Sequence, residues 1–124
     1  MNLNQVTVSV TNIDKSVEFY ETMGLELIVK TDHYARFIVK GNKATFSIHK
    51  KDFYHPNETV VYFETEDVDK TVDEIKSKGV KIFEKPKMQS WLWYEAYLED
   101  PDGNKICIYH AGENRLNPPW RIKK

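Results

Sequence analysis

Cysteine occurs once in the 124 residues, as Cys107, so no disulfide can close within the chain and the fold must rest on its core. Glycine and proline are sparse, five of each, too few for a low-complexity or linker-rich chain. No apolar run approaches the roughly eighteen residues that cross a bilayer, and the opening residues have no signal-peptide pattern. The expected location is therefore the cytoplasm, with no membrane partner. Charge of one sign is also missing: 18 Lys and Arg against 19 Asp and Glu leave no field to draw in nucleic acid. Apolar residues nonetheless reach 40% and aromatic ones 13%, which excludes a disordered chain despite a mean hydropathy of -0.61. A chain this long buries roughly two thirds of its unfolded surface, so one domain over 1–124 is expected, without separate cofactor and substrate lobes.

The strongest signal is an internal repeat. Asn12-Ile13-Asp14-Lys15-Ser16-Val17 returns as Asp67-Val68-Asp69-Lys70-Thr71-Val72, and Met23-Gly24-Leu25-Glu26-Leu27 returns as Lys78-Gly79-Val80-Lys81-Ile82, both at an offset of 55 residues. Ile13, Val17 and Tyr20, like Val68, Val72 and Ile75, fall at i, i+4, i+7 and predict amphipathic helices near 13–23 and 68–78. Asn12 and Asp67 are N-cap types, and Gly24 and Gly79 stand where a left-handed residue ends a helix. Alternation predicts a strand before each helix. Three more follow it, at Leu25 to Thr31, Tyr34 to Lys40 and Lys43 to His49 in the first copy. In the second they fall at Val80 to Glu84, Trp91 to Leu98 and Asn104 to His110. A Gly41-Asn42 hairpin turn and the Asp100-Pro101-Asp102-Gly103 turn join the last two strands of each copy. The fold class is thus α+β, two tandem βαβββ modules over 3–50 and 58–110, with an irregular tail over 111–124.

Each sheet covers its helix with one face, and period two separates the faces. Val6, Val8, Val10, Phe46, Ile48, Val61, Phe63, Ile106 and Ile108 take the helix side. Gln5, Thr7, Ser9, Thr45, Ser47, His49, Val60, Tyr62, Glu64, Lys105, Cys107 and Tyr109 take the other. That second face is either a solvated sheet surface or the lining of a ligand cleft.

Val10-Thr11-Asn12-Ile13-Asp14-Lys15-Ser16, Phe19-Tyr20, Gly24-Leu25 and Glu99-Asp100-Pro101-Asp102-Gly103-Asn104, on a duplicated βαβββ order, resemble the vicinal oxygen chelate superfamily, which includes glyoxalase I, bleomycin-resistance proteins and extradiol dioxygenases. The resemblance covers residues 3–110. It implies a U-shaped mixed sheet with helices on the convex face, a site on the concave face, and a homodimer. It also implies a divalent ion bound on the first and last strand of each module, which here means Gln5, Ser47, Val60 and Cys107. None of these is His, Asp or Glu, so no metal and no other cofactor is expected.

The reading that follows is a protein binding a small organic molecule without the metal site, through Thr7, Ser47, His49, Tyr62, Glu64, Cys107 and Tyr109, with Trp91 or Trp93 at the edge. The alternative is a lyase or dioxygenase of the glyoxalase type working through a rearranged His49/Glu64 pair. Trp91, Trp93, Glu95 and Tyr97 are expected on one strand face, which serves as core, as a dimer contact or as a stacking platform. Pro118-Pro119 presents Trp120 on a stiff step that either caps the cleft or pins the C-terminus.

Overall fold

The computed structural model describes residues 1–123 and shows two compact units that follow the repeat. The first is Met1–Glu58 together with Asp100–Asn104, and the second is Thr59–Glu99 together with the chain from Lys105 onward.

In the first unit β1 (Gln5–Val10), α1 (Ile13–Thr22), β2 (Glu26–Lys30), β3 (Tyr34–Ile38) and β4 (Thr45–Lys50) follow one another. The sheet order is β1-β4-β3-β2, with β1 parallel to β4 and the other pairs antiparallel. Asn12 Oδ1 accepts the Lys15 amide at 3.0 Å, capping α1, and Gly24 at φ 99 takes the left-handed turn that ends it. Ile13, Val17 and Tyr20 bury one stripe of the helix. Tyr20 packs its ring 4.7 Å from Phe46 and 5.8 Å from Phe37, and all three are sealed from solvent.

The second unit repeats this plan with β5 (Val60–Glu64), α2 (Val68–Ser77), β6 (Glu84–Met88), β7 (Tyr94–Glu99) and β8 (Lys105–His110), in the order β5-β8-β7-β6. Asp67 Oδ1 caps α2 through the Lys70 amide at 3.0 Å, and Val68, Val72 and Ile75 bury its stripe beside Ala96, Leu98, Ile106 and Ile108.

The Asp-Pro-Asp-Gly segment is more than a turn. The buried Asp100 carboxylate accepts the Tyr20 hydroxyl at 2.7 Å, the Asp102 and Asn104 amides at 2.9 Å each, and Asn104 Nδ2 at 2.8 Å. Asp102 takes the Thr11 amide and hydroxyl, and Asn104 Nδ2 donates to Ser9 O at 2.9 Å. Burial, then the Asp100 charge, raises the Tyr20 pKa far above a phenol's usual value, so the ring remains a donor.

Three strand expectations need correction. The strand expected at Val80 to Glu84 lies at Glu84–Met88. It is last in its sheet, where an amide can be spared, so Pro86 is tolerated, and Lys85 and Lys87 are exposed along it. The strand expected from Trp91 begins at Tyr94, because Trp91 and Leu92 form the turn of the β6–β7 hairpin. The Gln89 amide donates to Trp93 O and the Leu92 amide to Gln89 O, with Leu92 at φ 68, a conformation a bulky residue holds only under constraint. The loop holding Gly41-Asn42 spans 39–44 rather than two residues, with Gly41 at φ 90 and Asn42 Oδ1 accepting the Ala44 amide at 2.7 Å.

Candidate functional site

On the first sheet the side without a helix is largely polar, and six of its side chains form one hydrogen-bonded group. Register places Val29, Arg36, Ser47 and Thr7 in one row, Tyr34, His49 and Ser9 in the next, and Glu26, Ile38, Thr45 and Gln5 in the third. Gln5 Nε2 donates to Ser47 Oγ at 2.7 Å, and Ser47 Oγ shares a proton with the Tyr34 hydroxyl at 2.6 Å. Arg36 Nε donates to the same Tyr34 oxygen at 2.9 Å, and Thr45 donates to Gln5 Oε1. Ser47 is fully buried, whereas Thr7 and His49 are exposed. Desolvation works to raise the Tyr34 pKa, but the bonds from Ser47 and Arg36 and the guanidinium charge outweigh it and hold the phenol below its usual value.

The second sheet carries a different chemistry on the matching side. Trp93 stacks on Tyr109 at 4.7 Å and 18°, and Tyr62 stands edge-on to both at 5.9 and 5.5 Å. Cys107, Tyr109 and Ala111 are buried there with Val60, Trp93 and Tyr97 packed against them, so this side of β8 is as closed as its helix side. Glu95 is 2% exposed and accepts the Trp91 indole N–H at 3.1 Å and the Tyr97 hydroxyl at 2.9 Å. Burial and the nearby Glu95 charge push the Cys107 thiol up to about 12, so it stays protonated and unreactive at neutral pH. Tyr109 is raised too, by burial and then by the Glu64 charge.

Glu64 serves the tail. Its Oε2 accepts the amides of Ala111 at 2.7 Å and Gly112 at 3.0 Å, holding the start of the 3-10 turn Gly112–Arg115, while Arg115 and His110 lie 3.8 and 3.9 Å away. Desolvation opposes ionisation, yet the two amides and then the neighbouring His110 and Arg115 win and keep the carboxyl below its usual range. Trp93 adds an indole bond to Asn114 O at 3.4 Å. Trp120 is 57% exposed, and a hollow of about 910 Å³ beside it is lined by Pro118, Pro119, Arg121, Ile122 and Lys123, none of them on a sheet.

The family model for the Glyoxalase/Bleomycin resistance protein/Dioxygenase superfamily matches residues 2–108. The chain belongs to that superfamily. Among similar proteins, an uncharacterized protein of Bacillus subtilis strain 168, YraH, is 32% identical over 125 residues, covering 88% of this chain and 98% of its own. A trivalent organoarsenical cleaving enzyme of Bacillus sp. strain MD1 is 24% identical, covering 96% of this chain and 81% of its own. In solved structures the same fold occurs in a bleomycin resistance determinant encoded on the transposon Tn5, with a TM-score of 0.76 at 17% identity, over 89% of this chain and 98% of that one.

The metal positions implied by the superfamily do not fit an ion here. Val60 has no donor atom, Gln5 and Ser47 are bonded to each other, and the buried Cys107 thiol holds its proton. Among the described residues no three His, Cys, Asp or Glu side chains gather in a ligand cluster. The sequence reading missed Tyr34 and Arg36. Parity along the third strand would have found them, since Ala35 and Phe37 are apolar and buried while Tyr34 and Arg36 alternate with them.

Proposed function

We propose that this superfamily member recognises a small organic molecule without a metal ion, through side chains its sheets hold away from the helices. The observation that carries this is the ring cluster on the second sheet. Trp93 and Tyr62 keep part of their surface open beside buried Tyr109 and Cys107, two rings at right angles that offer a face and an edge to an aromatic or apolar body. Trp91 borders it from the hairpin turn. Thr7 and His49 offer a hydroxyl and an imidazole on the first sheet, Ser47 supports them from its buried bonds to Gln5 and Tyr34, and Glu64 contributes by fixing the tail. The alternative, turnover by His49 with Glu64, suits the geometry less: a carboxylate held ionised by two backbone amides beside Arg115 is a weak proton donor or acceptor near neutral pH. A homodimer in the cytoplasm completes this reading and is checked by light scattering. The test of the binding function is tryptophan fluorescence on titration with aromatic acids, amides and α-oxo compounds, beside melting curves with Zn, Ni, Fe and Mn. Saturable quenching lost in Trp93→Ala, with Tm unmoved by the metals to within about one degree, is expected. Tight metal binding, or ligand affinity unchanged in Trp93→Ala, overturns it.

A further inference from the structure

Four hydrogen-bonding groups meet on the first sheet around two oxygens, and their protons do not balance. Gln5 Nε2 donates to Ser47 Oγ and Arg36 Nε donates to the Tyr34 oxygen, so each hydroxyl already accepts one bond. A single contact joins the two hydroxyls, and it consumes only one of their two protons. The other hydroxyl proton has no acceptor among the described residues. With the Gln5 amide turned so that Nε2 faces Ser47, the cluster contains donors in excess and lacks an acceptor.

Charge has the same imbalance. Arg36 is half-buried, spends its Nε on Tyr34, and has no carboxylate within ion-pair distance among the described residues. Among the described residues the carboxylate in these three rows is Glu26, exposed on the outer strand opposite Ile38, and it forms no ion pair with Arg36. A half-desolvated guanidinium outside any ion pair is costly, and its planar fork is matched by a carboxylate. The bond to Tyr34 fixes that fork in place before any ligand arrives.

We propose that Arg36, oriented by Tyr34 over buried Ser47, forms a carboxylate-binding subsite, and that the small molecule this protein recognises is an organic acid. The ligand oxygens accept from the guanidinium nitrogens that Tyr34 leaves unused and from the hydroxyl proton that has no internal acceptor. The proposal rests on the small-molecule reading above and adds to it the chemical class of the ligand. It places the charge-recognising end on the first sheet, independently of the aromatic platform on the second.

The test uses the full chain, labelled for NMR of arginine Nε–Hε and tryptophan indole groups, titrated separately with acetate, acetamide, phenylacetate and phenylacetamide. Acetate and phenylacetate are expected to shift the Nε–Hε resonance that disappears in Arg36→Lys, and the two amides to leave it in place. Phenylacetate is expected to bind at least about tenfold tighter than phenylacetamide, the factor expected for a charged hydrogen-bonded contact. Arg36→Met is expected to abolish that preference. Arg36→Lys, which keeps the charge without the fork, is expected to recover part of it. The carboxylate subsite is overturned if acetate leaves the resonance unmoved or if acid and amide bind equally. In the second case, binding of both phenyl compounds with indole shifts would leave the small-molecule reading standing. An acetate response with no indole response to either phenyl compound would count against the aromatic platform instead.

Discussion

The two modules share the length, caps and stripe positions of their helices and diverge most on the faces away from them. Both helices are ten residues long, begin on an Asx side chain that accepts the amide three residues on, and end at a left-handed glycine. Both sheets place their first and last strands in parallel. On the opposite faces the likeness ends: hydroxyls, amides and a guanidinium in the first module, rings and buried Glu95 in the second. The lesson is one of constraint. A helix stripe has to match a sheet that carries the same plan, so the two copies cannot drift apart there. The face without a helix answers only to its own neighbours and has diverged into two chemistries.

The helices also differ in what secures them. At equivalent positions Tyr20 ends its stripe on a hydroxyl bonded to Asp100, whereas Ile75 ends its stripe in apolar contact alone. Asp100→Ala strands four donors at a site 5% exposed to solvent and is expected to cost roughly 3 to 5 kcal/mol in urea unfolding. A loss under about 1 kcal/mol would mean the segment is only a turn. Next in size, Ile75→Ala is expected to lose roughly 2 to 4 kcal/mol through its cavity, and Tyr20→Phe about 1 to 2 kcal/mol through its hydrogen bond. Equal losses at the two positions would erase the distinction between a helix held by polar contact and one held by packing.

Legibility from sequence follows the same division. Asn12, Asp67, Gly24 and Gly79 announced the helix ends because capping is a local matter of two or three residues. The helix-side residues were legible because Val, Ile and Phe repeat at fixed periods. Three features lay beyond that reach. Glu84–Met88 reads as a loop because lysine and proline disfavour a strand, and only its place at the sheet edge removes the objection. Trp91 and Leu92 read as strand by propensity, yet the hairpin bends there without a glycine. The bond from Tyr34 to Ser47 joins neighbouring strands whose register no local pattern announces.

The smallest expected effect concerns the tail, which belongs to the second module alone. The Glu64 carboxyl is held below its ordinary value of 4.5, so its contribution is complete above that pH and fades as pH falls through the lowered folded value. Glu64→Gln should therefore unfold more easily at neutral pH and approach the parent protein's stability in acid. Amide exchange at Ala111 and Gly112 should quicken in the variant at neutral pH. An unchanged difference between the two proteins across the acid range would show that the carboxylate charge does not hold the tail.

Assignment of Asp100–Asn104 to the first unit makes the duplication asymmetric in a way that bears on its history. A gene encoding only residues 1–58 would make a chain in which Tyr20 keeps a sealed hydroxyl with no acceptor, while Thr11 and Ser9 lose the partners that Asp102 and Asn104 provide. The first copy thus depends for these bonds on a loop encoded in the second. A half-length descendant would first have to replace Tyr20 with an apolar residue such as the isoleucine its twin has at position 75.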